Sequence, residues 1–133
     1  MAKLSIIVSG MIAADPHQGG ATWAVLQYLL GFRRLGHDVH FIEPVKTQAL
    51  RPTGAPLAAS INAEYFRRVT SGFGQETAAL VLEGTRETIG TPYEELVRIA
   101  ARANVLVNIS GMLADPDLIV VNRAVGARLS RVD

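Results

Sequence analysis

The segment Asp15-Pro16-His17-Gln18-Gly19-Gly20-Ala21-Thr22 holds the residues most capable of chemistry in this chain. His17, beside Asp15, could act as a general base or donate to a substrate hydroxyl, so these two are the catalytic candidates. A solvated loop histidine is the alternative. Gly19-Gly20 at a helix start would expose backbone N–H groups at the positive end of the helix dipole. With no side chains in the way, a phosphate or sugar hydroxyl could approach closely. Close packing of helix on strand is the competing explanation for the pair. Thr22, in the first turn, could reach the same ligand or serve only the helix start. A second stretch repeats the surroundings of the first. Ser9-Gly10-Met11-Ile12-Ala13 with Asp15-Pro16 is matched by Ser110-Gly111-Met112-Leu113-Ala114 with Asp115-Pro116. Gly10, Met11, Ser110, Gly111 and Met112 therefore join Gly19, Gly20 and Thr22 as ligand-binding candidates. Ser-Gly as a simple strand ending is the alternative.

Several chemistries are excluded. Gly10, Gly19 and Gly20 do not stand in G-x-G-x-x-G spacing, and no Walker lysine follows them, so neither familiar NAD nor ATP site is expected. The three histidines have no ligand spacing with carboxylates, and the chain has no cysteine, so no metal and no other cofactor is expected. Thirteen Lys and Arg against twelve Asp and Glu leave a net charge of +1, which argues against a nucleic-acid partner. Only Lys3 precedes a short apolar run, too short for a signal peptide or an integral membrane segment; a cytoplasmic protein is the default.

These residues need elements to hold them. Ile6 to Val8 read as a strand buried on both faces. A helix over Ala21–Leu35 ends with Arg33-Arg34 and a left-handed Gly36, and Val39–Ile42 form the next strand. Pro44, Pro52, Gly54 and Pro56 mark a mobile loop. Ser60 or Asn62 caps a helix to about Thr70 whose apolar residues are Ile61, Tyr65 and Val69. Ala78–Leu82 is a third strand, followed by a polar loop where Arg86 could meet a phosphate or simply be solvated. Thr91-Pro92-Tyr93-Glu94 combines a threonine N-cap, a proline at the first helical position and a capping-box glutamate. The helix that follows leads into Val105–Ile109, a fourth strand. Trp23 and Tyr28 are assigned to core packing, His37 and His40 to structural roles. Residues Leu118–Val121 read as helix after the Asp115-Pro116-Asp117 cap, with strand as the alternative, and Ser130–Asp133 as the start of a fifth strand. The expected fold is one α/β domain over residues 1–133, a Rossmann-like three-layer sandwich. Its parallel strands lie near 4–9, 38–43, 77–82 and 104–109, in order 3-2-1-4, with helices on both faces. The two matching loops would then face each other across the crevice between the first and fourth strands, where open α/β sheets bind ligands.

The run GGATWAVLQYLLGFRRLGHDVHFIEP resembles the opening unit of glycosyltransferases of the GT-B architecture. There a Gly-Gly loop starts a long helix that ends in Gly-His-x-Val and a second strand. YFRRV, GTRETIG, PYEEL and VLVNISGML are also similar to the amino-terminal half of bacterial members, so the likeness runs from about Ile6 to Asp117. The resemblance implies an acceptor-side domain, with Gly19 and Gly20 near the donor phosphates or the transferred sugar. It implies a nucleotide-sugar and an acceptor as partners in the full-length enzyme, with no catalytic metal. No donor-binding motif can be assigned within the 133 residues, so the chain alone is expected to be inactive. The alternative is a non-catalytic Rossmann-like binding or interaction module, with a homodimer as one possible form.

Overall fold

A computed structural model describes residues 3–16, 19–109, 111–120 and 127–129. The chain forms β1 (Ser5–Ser9), α1 (Gly19–Arg34), β2 (Asp38–Val45), α2 (Ile61–Gly72), β3 (Thr77–Leu82), β4 (Thr88–Gly90), α3 (Tyr93–Arg102), β5 (Val105–Asn108) and β6 (Ala127–Leu129). The strands make one sheet in the order β4-β3-β2-β1-β5-β6. β1 runs parallel to β2 and β5, β2 to β3, and β5 to β6, so these strands end at the same edge.

Side chains alternate across the sheet into two cores. Ile6, Val8, Phe41, Val45 and Leu80 pack with Val25, Leu26 and Leu29 of α1 and with Ala63, Tyr65 and Phe66 of α2. Ile7, Ile42, Ala79, Val81 and Leu106 pack with Leu96, Ile99 and Ala100 of α3. Cover on both faces is why β1 reads as a continuous apolar run instead of an alternating one. Gly36 ends α1 at φ +88°, a conformation that a side chain would strain. Beside it, Nδ1 of His37 accepts from the Leu4 N–H at 3.0 Å and ties the helix end to the entry of β1.

The structure corrects the sequence reading at several points. The sheet is mixed, because β4 pairs antiparallel with β3 through Leu80↔Ile89. The Glu83–Glu87 turn reverses the chain, with the Thr85 N–H on the Leu82 carbonyl at 3.0 Å. Ile89 goes into the core at 6% exposure, a burial that a three-residue strand hides from periodicity. Thr91 does not cap α3. Its N–H donates to Ala78 O at 2.9 Å and continues the β4 pairing, so Pro92 takes the cap position without a side-chain bond.

β2 runs on through Pro44, opposite Val81. Its last pairing with β1 is Val8↔Phe41, so β2 is by then free on that side and proline's missing N–H is tolerated. The segment after it is anchored rather than a free loop: two 3₁₀ turns, Thr47–Ala49 and Leu57–Ala59, flank a cis Arg51–Pro52 bond, and Leu50 and Leu57 are buried. Ser60 caps α2, its Oγ accepting from the Ala63 N–H at 3.0 Å. The inward face of α2 is Asn62, Ala63, Tyr65, Phe66 and Thr70, while Ile61 is 44% exposed. Trp23 is likewise 52% exposed, because the buried stripe of α1 is Thr22, Val25, Leu26 and Leu29 and position 23 lies about 100° away from it. Leu118 and Ile119 form a single turn on the Asp115 carbonyl, not a helix. Val121 and Ser130–Asp133 lie outside the described residues.

Candidate functional site

β1 and β5 lie side by side, with Ser9 opposite Asn108, so the two matching loops leave the sheet at adjacent positions. Their shared sequence gives a shared burial. Met11 and Met112 are 38% and 42% exposed, whereas Ile12 and Leu113, next in line, are buried at 1% and 3%. Each loop is pinned by a buried asparagine. Asn62 Nδ2 donates to Ala13 O at 2.7 Å and Asn108 Nδ2 to Leu113 O at 3.0 Å. Gly10 has a packing role as well: a Cβ there would stand 2.7 Å from Cγ2 of the buried Val25, so glycine lets α1 cross close to the end of β1.

Behind the first loop lies a group that sequence reasoning missed. Glu43, on β2, is 1% exposed. Its Oε1 accepts from the N–H groups of Ile12 and Ala13, both at 3.0 Å, and its Oε2 accepts from Ala13 at 2.9 Å and Ala14 at 2.7 Å. Burial pushes this carboxyl up to about 7, against the amide hydrogen bonds, which favour the ionised form. The signal in the sequence was a lone acid inside Phe41-Ile42-Glu43-Pro44-Val45, where a doubly covered strand tolerates a charge only with buried partners.

Two neighbouring cavities open at this edge of the sheet and share Pro44, Lys46, Glu83 and Met112. The smaller, about 200 Å³, includes Gly10, Met11 and Glu43 in its lining, so both methionines border it. The larger, about 570 Å³, lies between the β3–β4 turn, the start of α3 and the second loop. Pro44, Val81, Leu113 and Leu118 line it together with Lys46, Glu83, Arg86 and Asp115. Tyr93 orders one wall. Its hydroxyl donates to Asp115 Oδ2 at 2.7 Å, and the Arg86 guanidinium lies 5.1 Å from its ring centre. Burial and the Asp115 carboxylate push the Tyr93 hydroxyl up to about 12, so it stays a donor.

Of the candidates named from sequence, the structure gathers Gly10, Met11, Gly111 and Met112 around these cavities. It does not bring Asp15, Gly19, Gly20 or Thr22 there. Asp15 is exposed and borders neither cavity. Gly19 and Gly20 are exposed, and a Cβ on either would meet nothing within 4 Å, so no helix-to-strand contact requires them. Thr22 is buried, its Oγ1 3.1 Å from the Tyr65 hydroxyl on α2. His17 and Ser110 lie outside the described residues. Among the described residues no cluster of three His, Cys, Asp or Glu could hold a metal, and no helix is long and apolar enough to cross a membrane. No protein-family model matches this chain, and no curated protein is similar to it.

Proposed function

We propose that this chain is the acceptor-side, Rossmann-like domain of a glycosyltransferase of the GT-B architecture. It would hold an acceptor at the C-terminal edge of its sheet while the nucleotide-sugar is bound outside the domain. The observation that carries the reading is the 570 Å³ cleft, whose lining sets Lys46 and Arg86 as donors against Glu83 and Asp115 as acceptors around an apolar floor. Donors and acceptors together suit a hydroxyl-bearing molecule better than a phosphate, which would meet Glu83 and Asp115 as like charges. The central run β3-β2-β1-β5, with helices on both faces, supports a Rossmann-like arrangement, whose ligands bind at the C-terminal edge of the sheet where this cleft opens. Asp15 and His17 are the proton-transfer candidates, on sequence grounds.

A second reading, a binding module without catalysis, draws support from Glu43 and Asp15. The Glu43 carboxyl, perturbed toward neutrality, has both oxygens engaged by amides, and Asp15 stands outside the cleft lining. Backbone amide titration by NMR separates the two. Simple methyl glycosides are expected to perturb Glu83, Arg86 and Gly111–Asp115, and uridine diphosphate to leave them unmoved. Saturable uridine diphosphate binding at those amides, with silent glycosides, would sink the acceptor-side proposal; silence to both classes favours the non-catalytic module.

A further inference from the structure

Glu43 is the one charged residue fully buried among the described residues. The groups that bond its carboxylate are three successive backbone amides, Ile12 to Ala14, just past the end of β1. Successive amides turned on one point behind a strand are the means by which loops hold oxyanions. Here that point is filled from inside the protein. The Ile12 and Ala13 amides are buried and the Ala14 amide half-buried, and Asn62 holds the intervening Ala13 carbonyl, so this part of the concavity has a support besides the side chain that fills it. A cavity of about 200 Å³ adjoins it, bordered by Glu43 itself and by Lys46.

We propose that the Ile12–Ala14 amides form an oxyanion site whose resident occupant is Glu43, and that Glu43 thereby excludes phosphate-bearing ligands from the first loop. The exclusion has two sources: the donors are already satisfied, and a second anion would meet the carboxylate at close range. This rests on the amide geometry and not on the glycosyltransferase reading, and stands if that reading fails.

Glu43→Ala removes a CH2–COO⁻ group, the size of acetate. Wild type and variant are melted at pH 8 in acetate, inorganic phosphate and chloride at matched ionic strength, and the Ile12–Ala14 amides are followed by NMR. Acetate is expected to raise the melting temperature of the variant saturably, by roughly 5 °C or more, and to return its three amide signals toward wild-type positions. Phosphate should act on the same amides in the variant and leave them unmoved in the wild type. Glu43→Gln fills the same space without charge; it should fold and show no anion response. An equal response to chloride, or a variant unfolded at every acetate concentration, overturns the site. So does an anion response at these amides in Glu43→Gln. Phosphate binding by the wild-type loop, or none by Glu43→Ala, overturns the exclusion.

Discussion

The buried carboxyl of Glu43 gives this protein a pH dependence of unusual sign. Burial raises it from 4.5 to about 7, so the folded chain holds this proton more tightly than the unfolded chain does. Between those two values the folded state binds more protons, and stability falls as pH rises. The contribution is complete below 4.5, declines through the interval and is gone above about 7. At about 1.4 kcal/mol per pH unit, the whole loss comes to about 3 kcal/mol, or roughly 10 °C in melting temperature for a domain of this size. His40 works the other way: burial lowers it from 6.5, so its contribution is present above that value and is lost as pH falls. It cancels when wild type is compared with Glu43→Gln. Urea melts of both proteins from pH 4.5 to 8.5 are the assay. The stability difference, wild type minus variant, should shrink by about 3 kcal/mol between the ends of that range. Parallel curves would show that the amides, not burial, govern this carboxyl, with an ionised Glu43 throughout.

Gly10→Ala should cost about 1–3 kcal/mol in a urea melt, since its Cβ stands 2.7 Å from a buried Val25 methyl on a packed helix; a neutral result would mean that α1 shifts freely. Gly20→Ala should be neutral or stabilising by up to about 1 kcal/mol, since its Cβ meets nothing and alanine favours helix; a marked loss of stability would restore the packing explanation. Asn62→Ala should cost about 3 kcal/mol, because it frees the Ala13 and Ala49 carbonyls and the Arg51 N–H together. Asn108→Ala should cost about 1–2 kcal/mol, because it frees only the Leu113 carbonyl and its Oδ1 has no partner to lose; the reverse order in denaturant melts would refute this account of the two loops.

The parts of the fold that local chemistry dictates were legible in the sequence. β1, β3 and β5 announce themselves as short apolar runs, α1 by its length and by Gly36, and the start of α2 by Ser60 and Asn62, of which Ser60 is the cap. What escaped depends on the third dimension. β4 exists because a turn brings three residues back to β3, and Thr91 is drawn into that pairing ahead of its own capping preference. The exposure of Trp23 follows from which side of α1 meets the sheet, a choice that a mostly apolar helix does not reveal, and Ile61 is exposed because it stands at the first position of α2, off the face of Ala63, Phe66 and Thr70. Gly10 and Gly111 fall beside the cavities because strand endings at the C-terminal edge are placed by topology; Gly19, Gly20 and Thr22 were proposed from helix-terminus chemistry, which any helix start shares, and lie away from them.

The two loops share a sequence and a burial pattern, yet they cannot serve a ligand equally. At each, the fourth motif residue, Ile12 or Leu113, locks the turn into a core while the methionine before it reaches the cavity, which is sufficient reason for the repeat at both strand ends. The difference comes from the neighbouring strands. β2 supplies Glu43 beneath the first loop and uses up its amides, whereas no described acid accepts from Gly111, Leu113 or Ala114 in the second. The open volume accordingly lies on the side of the second loop, beneath Leu113 and against Tyr93 and Arg86. Topology alone pointed to the crevice between β1 and β5; with Glu43 filling the first loop, the larger cavity is displaced toward β3 and α3.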